Sequence, residues 1–235
     1  MENEVAVVVG AGPGLGWALA KRFSQAGMHV AVTARHPEKL KALPDWDQVG
    51  HLRLYEADTA VETDVQRLFH AVDSELGSPS LVVFNAGAFE AGGILDIRPD
   101  DFERCWRVGC FGGFLVGQAA ARCMVSKAAG TIIFTGASAS LRGSAHFANL
   151  AVPKFGLRAL AQSMARELGP IGIHVAHVVI DGQIDSERYR QLAVERDPDA
   201  LLCPDSIADA YHQLHRQHRS AWTHELDMRP FIERF

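Results

Sequence analysis

The stretch Val5-Ala6-Val7-Val8-Val9-Gly10-Ala11-Gly12-Pro13-Gly14-Leu15-Gly16 decides how this chain folds. Five small or β-branched apolar residues without alternation read as a strand buried on both faces. Gly10, Gly12, Gly14 and Gly16 follow at once, and a segment of helical period begins at Leu15. A glycine-rich turn between a strand and a helix N-terminus lets the backbone take positive φ and lets a pyrophosphate approach closely. The free N–H groups and the helix dipole there favour its negative charge. After a first strand, such a turn predicts a dinucleotide site built by Gly10, Gly12, Pro13, Gly14, Leu15 and Gly16.

Short apolar runs and longer helical patterns alternate from there to the C-terminus. Strands are predicted at Val5–Val9, His29–Thr33, His51–Glu56, Leu81–Asn85, Thr131–Thr135, His174–Ile180 and Thr223–Met228. Helices are predicted at Leu15–Ala26, Asp64–Leu76, Asp101–Ser126, Lys154–Leu168 and Ser206–His215. Within Lys154–Leu168 the residues Leu157, Leu160, Ala161, Met164 and Leu168 form one stripe, and Gly169-Pro170 ends it. The alternation implies an α/β, Rossmann-type doubly wound parallel sheet with helices on both faces. No repeat or linker divides the chain, so residues 1–235 are expected to form a single domain.

Charge and composition remove several function classes. The 23 Lys and Arg against 28 Asp and Glu give a net charge of −5, which argues against a nucleic-acid or anionic-membrane footprint. No apolar run approaches the ~20 residues of a membrane span. The acidic start Met1-Glu2-Asn3-Glu4 is unlike a secretory signal, so a cytoplasmic location is expected. Cys105, Cys110, Cys123 and Cys203 form no C-x-x-C pair and read as buried reduced thiols. His212, His215 and His218 recur every third residue, but a helix turns about 100° per residue, so the third drifts off the shared face. A solvated face is expected there rather than a metal site. His174 and His177 stand three apart on a strand and so point to opposite faces.

The spacing Gly10-x-x-x-Gly14-x-Gly16 resembles the glycine motif of the short-chain dehydrogenase/reductase family, with Val9 where that family usually has Thr. Asp58-Thr59 after the third strand is similar to its adenine-contacting acidic residue. Asn85-Ala86-Gly87 matches the N-A-G motif that stabilises the sheet and lines the cofactor cleft. The run from Lys154 to Ile184, with Glu167-Leu168-Gly169-Pro170 and Gly172-Ile173-His174-Val175, resembles the family's last helix and sixth strand. After that strand Asp181-Gly182 stands for the family's P-G. Gly182 keeps the turn, the Ile184 backbone would hold the nicotinamide amide, and Asp181 adds a charge. The resemblance also implies a small-molecule substrate and a homodimer or homotetramer built through Asp101–Ser126 and Lys154–Leu168.

At the end of the second strand, where a carboxylate would bind the ribose 2′-OH of NAD, the chain reads Thr33-Ala34-Arg35-His36. Arg35 offers the planar donor fork suited to a 2′-phosphate, so NADP is expected in preference to NAD.

The resemblance implies four catalytic groups, and here three are absent. Lys154 fits the Lys of Y-x-x-x-K, which places Leu150 at the Tyr, Ala137 at the Ser and Gly109 at the relay Asn. The enoyl-reductase variant, with its Tyr seven residues before the Lys, would put it at Phe147. None of these side chains donates a proton, and losing general acid catalysis forfeits on the order of 10²–10⁴ in rate. Ser138, one residue past the expected Ser, and His146, near the missing Tyr, are the candidate substitutes, with Tyr189 in the lid stretch as a third. Pro153 beside Lys154 implies either a helix starting near Val152 or a kink that displaces the Lys. Two functions remain open: an NADP-dependent oxidoreductase with a rebuilt site, and a non-catalytic NADP(H)-binding sensor or subunit.

Overall fold

The computed structural model describes residues 4–43, 45–186, 189 and 197–233. Its strands are β1 (Val5–Val9), β2 (His29–Ala34), β3 (Leu52–Glu56), β4 (Leu81–Phe84), β5 (Gly130–Thr135), β6 (Ile173–Ile180) and β7 (Glu225–Met228). They form one parallel sheet in the order β3-β2-β1-β4-β5-β6-β7, the doubly wound arrangement expected. The order reverses between β1 and β4, so the chain leaves those two strands in opposite directions. A crevice opens at their carboxyl ends, where ligands of such sheets bind.

Helices cover both faces, which is why all five residues of β1 are buried. On one face α1 (Leu15–Gln25) and α6 (Pro204–His215) bury Phe23, Ile207 and Tyr211 against Val8, Val30 and Ile180. On the other, α2 (Glu62–Glu75), α4 (Gly112–Val125) and α5 (Ala148–Leu168) bury Phe69, Met124 and Leu157 against Val7, Phe84 and Phe134.

Most element ends lie within one or two residues of expectation, and two helices differ more. The predicted helix Asp101–Ser126 is three pieces: α3 (Pro99–Trp106), a π turn over Arg107–Phe111, and α4. Gly109 sits inside the π turn, against α5. Helix α5 begins at Ala148 rather than Lys154 and carries Pro153 inside it, so Pro153 neither starts the helix nor breaks it. Its missing N–H leaves the Asn149 carbonyl without its helical donor. The packing of α5 on α3, the π turn and β6 overrides that local penalty.

Three smaller expectations change. Helix α6 stops at His215, so His218 lies beyond it and only two histidines share that helix. Both are engaged: His212 Nδ1 lies 2.9 Å from Arg22 Nη2, and His215 Nδ1 lies 2.9 Å from Thr131 Oγ1. Cys203 is exposed, capping α6 before Pro204, whereas Cys105 is buried and Cys110 and Cys123 are half-buried. The helical run Pro99–Val125 is long and apolar enough to cross a bilayer, but its α4 part is wedged against β4, β5 and α5 as a core helix. His174 and His177 do face opposite ways: the His174 ring stacks on Trp222 at 5.0 Å, and His177 faces α5 beside Glu225.

Candidate active site and cofactor cleft

The glycine turn is fastened at both sides of the crevice. The Gly10 and Ala11 N–H groups donate to Thr33 O at 2.9 and 3.0 Å, and Asn85 Nδ2 donates to Gly10 O at 3.1 Å. Gly10 has φ +87°, and a Cβ on it would stand 2.4 Å from the Ala86 backbone nitrogen, so only glycine fits. Gly12 and Gly14 differ: a Cβ on either would meet nothing within 4 Å. Pro13 is exposed at the tip, Leu15 is buried in the core, and Gly16 packs on Ala11, so these three shape the turn from behind.

Beside the turn lies a cavity of about 230 Å³ lined by Gly10, Gly12, Arg35, Asp58, Asn85 and Gly87. Ala86 and Thr59 also face it, Thr59 being buried against Gly112. Asp58 Oδ1 accepts from Ala60 N at 2.9 Å, so half of its carboxylate is committed to the turn that follows β3. Arg35 has no hydrogen bond or ion pair among the described residues. An open glycine cradle with an unpaired guanidinium at one end fits a dinucleotide that carries an extra phosphate.

Lys154 is buried on α5 and donates to Thr135 O at 2.6 Å. Burial pushes its ammonium down to about 8. No carboxylate pairs with it among the described residues. Beneath it His177 is wholly buried and held below the ordinary imidazole range by desolvation, so it is neutral and adds no charge. Pro153 therefore does not displace Lys154, which points at the end of β5.

At the carboxyl ends of β5 and β6 a second cavity holds about 560 Å³. Phe89, Ala137, Phe147, Leu150 and Ile184 give it apolar walls, and Phe89 and Phe147 stack on each other at 5.0 Å. Ser138, Asp181, Arg142, Tyr189 and Glu233 supply its polar groups. His146 is not among them: it is exposed, has φ +68°, and its ring lies against Gly93. Of the three candidate proton donors named from the sequence, Ser138 and Tyr189 reach the cavity and His146 does not. Most of the lid stretch around Tyr189 lies outside the described residues.

The model of the short chain dehydrogenase family matches residues 4–195, most of the chain and both halves of this site. The chain belongs to the short-chain dehydrogenase/reductase family. It is 35% identical over 179 residues to a short-chain dehydrogenase/reductase of Armillaria gallica, spanning 74% of this chain and 69% of that protein. It is 33% identical to the 3-oxoacyl-[acyl-carrier-protein] reductase MabA of Mycobacterium avium, over 79% of this chain and 69% of that one. Among solved structures, a short-chain dehydrogenase from Rhodopseudomonas palustris superposes with a TM-score of 0.84 at 37% identity, covering 98% of this chain and all of that one. A metagenomic short-chain oxidoreductase in complex with NADP superposes with a TM-score of 0.83 at 28% identity, covering 97% and 98%.

Where the resemblance implied catalytic groups, the chain carries Leu150, Ala137 and Gly109. Leu150 and Ala137 are part of the apolar cavity wall. Gly109 faces the Pro153 ring, and a Cβ on it would stand 3.1 Å from Pro153 Cβ, so the ring would have to yield to a side chain there. The structure also shows an ion pair that the sequence left unexplained. Arg142 Nη2 lies 3.3 Å from Asp181 Oδ1, and Arg229 Nη1 lies 3.5 Å from Asp181 Oδ2, so the buried Asp181 carboxylate sits between two guanidinium groups. The extra charge at Asp181 is legible in sequence. Its partner Arg142, 39 residues earlier, is not.

Proposed function

We propose that this protein is an NADP(H)-dependent oxidoreductase whose substrate cavity works without the family's tyrosine acid. One observation carries the reading: an open glycine cradle with Arg35, unpaired among the described residues, and a separate 560 Å³ cavity stand together along the carboxyl edge of one sheet. The NADP complex of the metagenomic relative supports the choice of cofactor.

Backbone N–H groups of Gly12, Leu15 and Gly16 would take the pyrophosphate, and Arg35 the 2′-phosphate. Asp58, through the carboxylate oxygen its turn leaves free, would meet the adenine. Asn85, Ala86 and Gly87 form the floor of the cleft, and Gly182 and Ile184 would border the nicotinamide. Lys154 uses one N–H on Thr135 O and has two others for ribose hydroxyls. When bound, NADPH supplies a hydride. Ser138 and Tyr189 are the cavity hydroxyls able to hold a substrate heteroatom.

A non-catalytic NADP(H) sensor is the second reading, favoured by Leu150 and Ala137 standing where proton chemistry is done in relatives. The test is NADPH consumption with a panel of aldehydes, ketones, quinones and imines. Turnover of any of them, reduced by Lys154→Ala, supports an oxidoreductase. Saturable NADPH binding without any turnover supports the sensor. We place the protein in the cytoplasm as a homo-oligomer, since Trp106, Phe114, Val152 and Phe155 expose apolar surface on α3, α4 and α5. Sedimentation would check the assembly.

A further inference from the structure

The cavity at the carboxyl ends of β5 and β6 contains a guanidinium held in place from two sides. Arg142 lies just past the turn Ser138–Ser140 that follows β5, and its backbone N–H donates to Ser138 O at 3.1 Å. Its Nη2 lies 3.3 Å from Asp181 Oδ1, just past β6. The backbone is thus fixed by its own turn and the head group by the neighbouring strand.

A buried carboxylate is costly unless its charge is met. Asp181 has two partners, and they differ in where they stand. Arg229 Nη1, 3.5 Å from the second oxygen, belongs to a side chain only 18% exposed, whereas the Arg142 side chain is 52% exposed and lines the cavity. Among the described residues, Nε and Nη1 of Arg142 have no acceptor. A guanidinium presents its donors as a planar fork that matches a carboxylate, and a fork held beforehand lowers the ordering cost of binding.

The rest of the cavity suits an apolar body behind such a group. Phe89, Phe147 and Leu150 line it, with the two phenyl rings stacked at 5.0 Å. A dianionic phosphate suits it less, because Asp181 and Glu233 also line the cavity and would oppose the second charge.

We propose that Arg142 anchors the substrate through a carboxylate carried on an apolar, ring-bearing body, and that Asp181 positions Arg142 to do so. The assignment rests on the oxidoreductase reading of this cavity and names the class of molecule that enters it. Selection is local, made by one fork rather than by the summed charge of the cavity.

The test titrates 3-phenylpropanoate and its neutral isostere, 3-phenylpropanamide, into the protein by calorimetry, with and without NADP⁺. The acid should bind at least ~10-fold tighter than the amide, the scale of one charge-assisted contact. Arg142→Met should abolish that preference while the amide binds as before. Arg142→Lys, which keeps the charge and loses the fork, should retain only part of it. Asp181→Asn, which loosens the hold on Arg142, should weaken the acid and spare the amide. A second arm follows NADPH absorbance with 4-formylbenzoate and 4-methylbenzaldehyde. The carboxylate should lower KM and leave kcat within a few-fold, and Arg142→Met should erase the difference.

Thermal melts separate a lost contact from a lost fold. An Arg142 that only fastens its turn to β6 would, on substitution, lower the melting temperature and weaken both ligands alike, which overturns the assignment. No saturable binding of the acid, equal binding of acid and amide, or a preference that survives Arg142→Met overturns it too, and each leaves the oxidoreductase reading standing. Turnover of neither aldehyde, with the Arg142-dependent preference intact, supports the anchor and counts against the oxidoreductase reading.

Discussion

The Pro153 ring crowds Gly109: a Cβ built there would stand 3.1 Å from Pro153 Cβ, so the ring would have to give by a few tenths of an ångström. The π turn that carries Gly109 and the proline inside α5 are thus two halves of one contact. Gly109→Ala should destabilise the protein by roughly 1–3 kcal/mol through overpacking. In a Pro153→Ala background the same change should cost clearly less, because the two sites share one contact. Urea unfolding of the four proteins checks this, and equal costs in both backgrounds would mean the contact is slack.

Two glycines of the nucleotide turn should separate folding from binding. Gly12→Ala meets nothing within 4 Å, so its thermal stability should match the wild type while NADPH binding falls sharply. Gly10→Ala, at φ +87° and against the Ala86 backbone, should lose about 2 kcal/mol or more of stability before binding is even considered. Thermal melts with and without NADPH distinguish the two.

Lys154 makes the stability of the cofactor-free protein depend on pH. Its ammonium is lowered from 10.5 to about 8 in the folded state by burial. Between those values the unfolded chain binds the proton and the folded one does not, so stability from this group rises with pH across that window. Below it, the buried charge costs ~3 kcal/mol. Lys154→Met should therefore raise the melting temperature at pH 7, and the gain should shrink as pH approaches 10. A gain that is constant with pH would show that the ammonium is solvated.

Restoring donors tests whether the reaction half is otherwise intact. Leu150→Tyr with Ala137→Ser should create ketone reduction, since both positions already face the cavity. Adding Gly109→Asn should raise it little, because Pro153 Cβ stands 3.1 Å from where the new Cβ would be and crowds that side chain. A large increase from the third change would place the proline elsewhere.

The fold was legible because β1 and its glycines obey local rules. An unbroken apolar run, a turn only glycine can make and a helix starting at Leu15 imply one another. The same rules and the resemblance named Gly10, Gly12, Arg35, Asp58 and Asn85 as cofactor residues, and the structure gathers them around one cavity. The substrate side was less legible. His146 is near the missing Tyr in sequence, yet its backbone turns it onto Gly93. Arg142 and Asp181 meet only through the fold. Pro153 looked like a helix start, because no local signal shows that α3, the π turn and β6 hold Ala148–Pro153 helical from outside.

The crevice between β1 and β4 is the proposed seat of NADP(H). The most direct test is fluorescence titration of NADPH and NADH into the wild type and Arg35→Ala. Saturable NADPH binding at least ~10-fold tighter than NADH is expected, with the preference lost in Arg35→Ala while NADH affinity holds, as for one charge-assisted contact. No saturable NADPH binding, or equal affinity for both nucleotides in the wild type, would contradict it.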